Sequence, residues 1–460
     1  MSGLRDVFLL VAVAGLVPAS LFRPWIGVLG WSWIAYMAPH MLSWGFARTL
    51  PVAALIGGAT LLGLFITRDK KPLPRTLVVL LLGLFAVHFT VTTVFALNPE
   101  LAWDKWNWVS KSLLMAFVTM SLFQDRTRLR WLYMVMALSL GFYGVKGGLW
   151  ALRTGGGDLV WGPDGTFFGD NNTLGLALCM ILPMLLYLAR EEPRRWLKIV
   201  LRASFGITIV AILFTYSRGA FLGLLAIIVA VIWRSKWRWR FGATALVLYL
   251  VAMPLLPAKW WDRMHTITTD AQTMGDSALG RLEAWNTAFN IAVDRPFLGG
   301  GFRTLWDNDT WLRYHDGSYM VARDSHSLYF EVLAEHGFLG FSIYAAILLC
   351  TLVNLQRIRY RWRGHPTNGY LANYAEMTQL ALCPYLVAGA FLGVAYFDLY
   401  FHLIATGVVL QTLSQAALTE QAQDVAAATS GQVSPSPLPA FRTQRRAAPA
   451  LSPSKRAQNA

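Results

Sequence analysis

Uninterrupted apolar runs of membrane-spanning length recur along the chain from residue 7 to residue 418. A bilayer core about 30 Å thick requires roughly 20 mostly apolar residues of helix, and continuous runs of this kind are typical of transmembrane helices. Because 55% of the residues are hydrophobic and only 14% are charged, too little polar surface remains to cover a water-soluble domain. The sequence therefore predicts an all-α polytopic integral membrane protein.

We expect about 12 transmembrane helices in this chain. The predicted spans lie near residues 7–22, 50–67, 76–96, 109–123, 130–152, 173–189, 197–214, 218–233, 241–256, 338–356, 379–397 and 399–418. The Trp-rich segment 23–40 is short and is interpreted as interfacial or re-entrant, with a thirteenth span as the alternative. The first run resembles a signal peptide in outline, but further spans follow at once, so we interpret it as the first anchor.

The net charge of +15 is distributed in a way that predicts the orientation of the chain. With the N-terminus inside, five connectors on the cytoplasmic side carry 19 Lys and Arg residues. The short outer connectors carry only Arg48, Lys105, Arg153 and Arg218. This asymmetry is the positive-inside pattern of multi-pass membrane proteins. The basic charge is thereby explained by topology, and we expect no nucleic-acid partner.

Four regions follow from this pattern. Residues 1–256 and 338–418 are predicted to be transmembrane helices, and residues 419–460 are a Pro-, Ser- and Ala-rich tail that we expect to be disordered. Between the two helical regions lies one large outer loop of about eighty residues, 257–337, whose length indicates a function. Its segment 277–296 has helical periodicity, with Leu279, Leu282, Trp285 and Phe289 on one stripe.

Three polar side chains on the predicted outer side are candidates for chemistry. Arg218 begins a span at its outer end, where an arginine is costly unless it has a partner or a task; a snorkelling anchor is the alternative. Arg281 lies in the large loop; the alternative interpretation is that it is an ordinary surface residue beside Glu283. His326 directly precedes the span that follows the loop, where an imidazole suits a general base, although a single histidine is more often structural.

The neighbouring residues argue against a metal site. His326 and His336 are ten residues apart, which does not fit helical zinc ligands one turn apart, and no metal is expected. Glu331 and Glu335 are one helical turn apart, so a carboxylate pair for glycosidase-like chemistry and a polar face at the entrance of a span both remain open. The three cysteines lie in apolar runs and are interpreted as packing residues.

Residues 326–340 read His-Ser, nine residues, Gly, two residues, Gly, in HSLYFEVLAEHGFLG. This pattern resembles the signature of the O-antigen ligases, in a family of polytopic glycosyltransferases that also contains O-antigen polymerases and bacterial O-oligosaccharyltransferases. The resemblance includes the large loop before the motif, the arginine in SRG and the loop arginine in GRLEAW. The segments RPWIGVLGWSWIAYMAPH, GFYGVKGG and GDNN look most like a subgroup associated with exosortase systems and described as O-glycosylation ligases.

The resemblance implies a GT-C-like fold in the bacterial inner membrane with the loop and active site in the periplasm. It implies transfer of a glycan from undecaprenyl diphosphate to a hydroxyl of lipid A–core in lipopolysaccharide biosynthesis, with inversion and without a cofactor or metal. By the same resemblance, His326 matches the general base, and Arg218 and Arg281 match the arginines that stabilise the diphosphate. Asp170, Asn171, Asn172, Asp324 and Glu331 have no assigned role; orienting the histidine or binding sugar hydroxyls are the alternatives.

Three other functions share some of these features. A protein acceptor would make the chain an O-oligosaccharyltransferase, and a second carrier-linked glycan would make it an O-antigen polymerase. A non-enzymatic transporter of lipid-linked sugars is the alternative from another class, and it would be expected to show repeat symmetry and charges at mid-bilayer depth. The predicted spans are nearly free of charge, Lys146 being the main exception, and the polar groups gather at one face.

Overall fold

The computed structural model of the chain describes residues 2–67, 72–240, 242–243 and 276–429. Every regular element in this part of the chain is helical. The helices are α1 (Ser2–Phe22), α2 (Pro24–Met37), α3 (Val52–Ile66), α4 (Leu77–Val94), α5 (Pro99–Leu122), α6 (Arg126–Arg153), α7 (Asn171–Glu191), α8 (Arg195–Leu213), α9 (Arg218–Arg234), α10 (Asp276–Asp294), α11 (Asn308–Tyr314), α12 (Leu328–Trp362), α13 (Gly369–Ala388) and α14 (Asp398–Thr429). Three short 3-10 turns lie at Phe46–Arg48, Thr304–Trp306 and Gly389–Phe391.

Seven helices in the described residues are long and apolar enough to cross a membrane: α1, α4, α6, α7, α8, α12 and α14. Helix α3 is apolar but has only 15 residues. The chain is therefore a helical, multi-pass membrane protein, while the total of 12 spans stays a prediction. The predicted span at 241–256 lies outside the described residues, apart from residues 242–243.

Several predicted boundaries differ from the observed ones. Helix α5 begins at Pro99 instead of residue 109, because Pro99 occupies the first turn and the Asn98 side chain caps the helix by accepting from Leu101 N. Helix α13 ends at Ala388, nine residues before the predicted end of its span, and residues 392–397 contain no helix. Helix α14 continues to Thr429, so the first residues of the predicted disordered tail are helical. Residues 430–460 lie outside the described residues.

The Trp-rich segment 23–40 contains helix α2, which follows α1 after a single residue. Its 14 residues are fewer than a typical span requires. Val28, Ile34 and Tyr36 are nevertheless buried, because α2 packs against α1, α3 and α6. Segment 23–40 is therefore part of the helical bundle.

Helix α7 forms the centre of the bundle. In its most apolar window 89% of the residues are buried, against 22% for α1. It contacts α6, α8, α9 and α13, and this arrangement surrounds it on several sides. Because α7 and α9 are joined through the single returning helix α8, their N-terminal ends lie at the same end of the bundle.

The described part of the large loop, from residue 276, folds around a small core of its own. Ala284, Ala288 and Ile291 of α10 pack with Trp311 of α11 and Ala334 of α12. The helix predicted from the periodicity of this segment is present, but its large apolar residues lie mostly outside this core. Leu279, Leu282 and Phe289 are 43%, 48% and 46% exposed.

Helix α12 changes direction at Gly337, whose φ of 65° and ψ of −171° are not helical. The segment Leu298-Gly-Gly-Gly packs against this break: Gly300 N donates to the Ala334 carbonyl at 2.8 Å, and Gly301 N donates to the Glu335 carbonyl at 2.9 Å. A Cβ atom on Gly299 would lie 2.6 Å from the backbone nitrogen of His336. The glycines therefore allow two backbone segments to touch directly where α12 bends.

The chain divides into two compact units, Met1–Gln415 and Ala416–Ala460. The first contains all of the residues discussed below. The second begins with the last residues of α14.

Candidate functional site

The backbone around His326 is held in an unusual conformation. His326 directly precedes Ser327, the N-cap of α12, and its φ of 45° lies in the left-handed region that non-glycine residues seldom adopt. The Ser325 hydroxyl donates to the Ser327 carbonyl at 3.1 Å, and the Trp285 indole N–H donates to the Ser325 carbonyl at 2.8 Å. Both serines are buried. The surrounding bonds therefore fix a strained backbone that presents the imidazole outward.

The His326 imidazole opens into a cleft of about 230 Å³, which is lined by Gly280, Arg281, Arg323, Asp324 and His326. The side chain of His326 is 50% exposed, and its Nδ1 lies 3.4 Å from Asp324 Oδ2. A carboxylate at this nitrogen favours the tautomer in which Nδ1 carries the proton and Nε2 is free to accept one. The pair can thus act as a general base on a group that enters the cleft.

Arg218 is the first residue of α9, and Ser217 caps this helix by accepting a hydrogen bond from Ala220 N at 3.2 Å. The guanidinium of Arg218 lies close enough to that of Arg281 to affect it electrostatically. Burial lowers the pKa of Arg281, the charge of Arg218 lowers it further, and the carboxylate of Asp324 acts in the opposite direction. Two guanidinium groups that repel each other are stabilised by an anion between them. Arg281 and His326 therefore line one cleft, and the charge of Arg218 acts on Arg281.

A second, smaller cavity of about 40 Å³ is also lined by Asp324. Its lining includes Glu331 and Glu335, whose carboxylates both contact Lys105 of α5, with Nζ–Oε1 distances of 2.7 and 2.9 Å. Ala395 N donates to Glu331 at 3.0 Å, while Arg303 N and the Tyr396 hydroxyl donate to Glu335 at 2.7 and 2.6 Å. The two carboxylates are therefore held in a buried ion cluster next to the cleft.

His336 does not line the cleft and is fully buried. Its Nδ1 is 2.7 Å from the Thr92 hydroxyl, and its ring packs edge-on against Phe302 at 4.7 Å between ring centres. The ranges that the structure describes contain no group of three or more His, Cys, Asp and Glu side chains placed to hold a metal ion. His336 is thus a core residue beside the bend of α12.

The Asp170-Asn171-Asn172 triplet begins α7. Asp170 caps the helix, accepting hydrogen bonds from Asn172 N and Thr173 N at 2.8 and 3.0 Å. The Asn171 amide donates to the Thr215 carbonyl at 2.8 Å, in the turn that leads to Arg218. The triplet is therefore connected to the site through the backbone of that turn.

Three charged residues at or beside the cleft were not identified from the sequence: Arg323, Arg303 and Lys105. Lys105 lies in WDKWNW, which the sequence pattern placed in an outer connector. Helix α5 already begins at Pro99, so Lys105 lies within this helix. The Asn98-Pro99 pair is a helix-start signal that could have placed Lys105 within a helix. Arg323 and Arg303 carry no comparable signal, because their roles depend on how the loop folds.

Two families match the chain in adjacent segments. Residues 4–193 match a family described as a family of unknown function (DUF5935), and residues 203–345 match the family described as O-Antigen ligase. No curated protein matches the chain. The second segment contains Arg218, Arg281, His326 and the two motif glycines, Gly337 and Gly340, which confirms the resemblance that the sequence motif indicated. Residues 203–345 therefore form a segment of the O-antigen ligase family.

Proposed function

We propose that the protein transfers an O-antigen glycan from undecaprenyl diphosphate to a hydroxyl of lipid A–core at the periplasmic face of the bacterial inner membrane. The acceptor oxygen attacks the anomeric carbon, and the bond from that carbon to the diphosphate oxygen breaks with inversion. The hydroxyl proton passes to His326, and undecaprenyl diphosphate leaves with the electron pair. No metal ion takes part in this scheme.

The observation that carries the proposal is the cleft in which His326 and Arg281 face the same space, with the charge of Arg218 acting on Arg281. A departing diphosphate develops negative charge, and guanidinium groups stabilise it through paired N–H donors. An imidazole at the same cleft supplies the base that an alcohol nucleophile needs. The arrangement therefore suits both the departure of the diphosphate and the deprotonation of the attacking hydroxyl.

Asp324 and Arg323 extend this assignment. Asp324 contacts His326 and keeps the imidazole oriented, as carboxylates do beside catalytic histidines. Arg323 lines the cleft with its guanidinium 3.7 Å from the centre of the Tyr319 ring, which limits its movement. We assign it as a third cation for the diphosphate.

The test is transfer in vitro, with purified protein in detergent or nanodiscs and undecaprenyl-diphosphate-linked glycan as the donor. Separate reactions contain lipid A–core, a protein acceptor or a second carrier-linked glycan, each with and without EDTA. We expect product on lipid A–core, unchanged by EDTA. We expect His326→Ala to reduce the rate roughly 10²–10⁴-fold, the contribution typical of a general base.

His365→Ala is the matched control, because His365 lies beyond the opposite end of α12 and should leave transfer unchanged. Product on the protein acceptor or on the second carrier-linked glycan alone would replace the lipid A–core assignment. Full activity of His326→Ala, or loss of activity in EDTA, would contradict the mechanism.

A further inference from the structure

The segment of unknown function, residues 4–193, contributes a side chain that holds the start of α9. We propose that Asn171 is a positioning residue that fixes the turn carrying Arg218, so that the first segment sets the geometry of the diphosphate site in the second. This inference rests on the function proposed above. It assigns a role to the asparagine in GDNN that neither the motif nor the reaction scheme explains.

The Asn171 amide is aimed by the helix that it begins. Asn171 is the first residue of α7 and only 5% exposed, and the cap by Asp170 fixes the first turn of the helix around it. Its Nδ2 donates to the Thr215 carbonyl at 2.8 Å. A buried amide with a single well-defined orientation is thereby bound to the backbone three residues before Arg218.

The turn that receives this bond is strained. Tyr216 has a φ of 54°, in the left-handed region, and its hydroxyl donates to the Gly156 carbonyl at 2.5 Å. Ser217 N donates to the Thr215 hydroxyl at 3.3 Å before Ser217 caps α9. A non-glycine residue stays in this conformation only when its surroundings hold it there. The bonds from Asn171 and to Gly156, both in the first segment, supply that restraint.

Below the turn, α7 and α9 are in direct contact. A Cβ atom on Gly175 would lie 2.6 Å from the Ala220 Cβ, so only glycine allows this approach. The Cys179 S–H donates to the Ala220 carbonyl at 3.3 Å. Because α7 and α9 already contact each other about one helical turn after their first residues, the Asn171 bond fixes the conformation only of the last residues before Arg218. Its loss should therefore move the guanidinium while the bundle stays folded.

A matched control exists elsewhere in the bundle. Gln379 of α13 is also 5% exposed, and its amide donates to the Leu352 carbonyl of α12 at 3.0 Å. Asn171→Ala and Gln379→Ala thus remove the same kind of buried bond between an amide and a backbone carbonyl. They differ in that only the first bond leads to the turn before Arg218.

The experiment is a double-mutant cycle on transfer from undecaprenyl-diphosphate-linked glycan, measured under single-turnover conditions with enzyme in excess. Asn171→Ala is introduced into three backgrounds: the otherwise unchanged chain, Arg218→Ala and Arg281→Ala. Gln379→Ala is introduced into the same three backgrounds. We expect Asn171→Ala to lower kcat/KM roughly 10- to 100-fold in the intact chain, the effect of a displacement of about 1 Å at a catalytic group. We expect the same fall with Arg281→Ala and no further fall with Arg218→Ala, because residues that act as a unit are not additive.

Gln379→Ala should leave kcat/KM unchanged in all three backgrounds. If Asn171→Ala does not fold, Tyr216→Phe, which removes the bond to Gly156 from the same turn, takes its place with the same expected pattern. An equal fall with Arg218→Ala and Arg281→Ala, or no fall in the intact chain, would overturn the positioning role and leave the proposed function standing. Full activity of Arg218→Ala would overturn the proposed diphosphate site, and the positioning role with it.

Discussion

Lys105 is the buried cation that joins α5 to the segment carrying His326. Its side chain is 9% exposed and contacts Glu331 and Glu335, which are 11% and 4% exposed, and its ammonium lies 4.5 Å from the centre of the Tyr396 ring. A buried carboxylate is tolerated because it is paired, and removal of the partner leaves an uncompensated charge. Lys105 is therefore a structural requirement of the site.

We expect Lys105→Met to lower the free energy of unfolding by about 3–5 kcal/mol, the usual effect of breaking a buried ion pair. Thermal unfolding of the purified protein in detergent measures this change. Lys111→Met is the control, since Lys111 lies on the same helix with an exposed side chain and should change the unfolding temperature little. Equal unfolding temperatures for the two variants would show that the cluster adds nothing to stability.

Gly337 is the second residue on which the local geometry depends. With a φ of 65°, it adopts a conformation that favours glycine, and a Cβ atom there would lie 2.5 Å from the Pro296 carbonyl oxygen. We expect Gly337→Ala to destabilise the fold by at least about 1–3 kcal/mol and to reduce transfer, because the bend of α12 must shift. Gly83→Ala, in open space on α4, should be tolerated. Matching unfolding temperatures for the two variants would contradict the role of the bend.

At this scale the sequence motif predicted part of the site. His326, Gly337 and Gly340 could be identified because their spacing is fixed within a single segment. The roles of Lys105 and Asn171 could not be predicted, because each acts on a partner more than forty residues away, and only the folded bundle brings the two together. The left-handed conformation of His326 could not be predicted either, because histidine adopts it more often than most residues but still only in a small minority of cases.

At the scale of elements, α10 carries an apolar stripe outside the core of the loop. Leu279, Leu282, Phe289 and Val293 are all more than 40% exposed, and the Phe289 ring lies 6.0 Å from that of Phe338, just past the bend of α12. Exposed apolar stripes on amphipathic helices are typical of helices that lie in a membrane interface. We expect this face of α10 to contact lipid.

A spin label tests this expectation. In a chain whose natural cysteines are replaced, a label at Phe289→Cys should be more accessible to dissolved oxygen than to a water-soluble nickel chelate. The label at Asp309→Cys, on the exposed side of α11, should show the opposite order. If both labels are more accessible to the nickel chelate, the stripe faces water, and the expected contact with lipid is wrong.

The apolar pattern predicted most helices because hydrocarbon length and helix rise set a common minimum. It was less accurate where polar residues lie inside helices or where backbone leaves a helix to bond with the site. Helix α5 begins ten residues early around Lys105, and residues 392–397 leave helical geometry where Ala395 N donates to Glu331. These departures lie next to the site, where local chemistry outweighs the average pattern.

For the whole molecule, the distribution of Lys and Arg makes a prediction about sidedness. With the large loop outside, Ser318→Cys should react with a membrane-impermeant maleimide in intact spheroplasts, in a chain without its natural cysteines. Thr367→Cys, in the basic connector between α12 and α13, should react only after permeabilisation. The reverse result would place the cleft on the cytoplasmic side and exclude the periplasmic reaction.

The hydrogen bond from Asn171 and the ion pairs of Lys105 also bear on how such a chain could be recombined. Both groups come from residues 4–193, while their partners lie within 203–345. A chimera that joins the second segment to the first segment of a distant relative would keep Glu331 and Glu335 but lose the ammonium group of Lys105. It would also keep the turn before Arg218 but lose the amide of Asn171 that binds this turn. The two segments should therefore be exchanged between relatives, or engineered, only together.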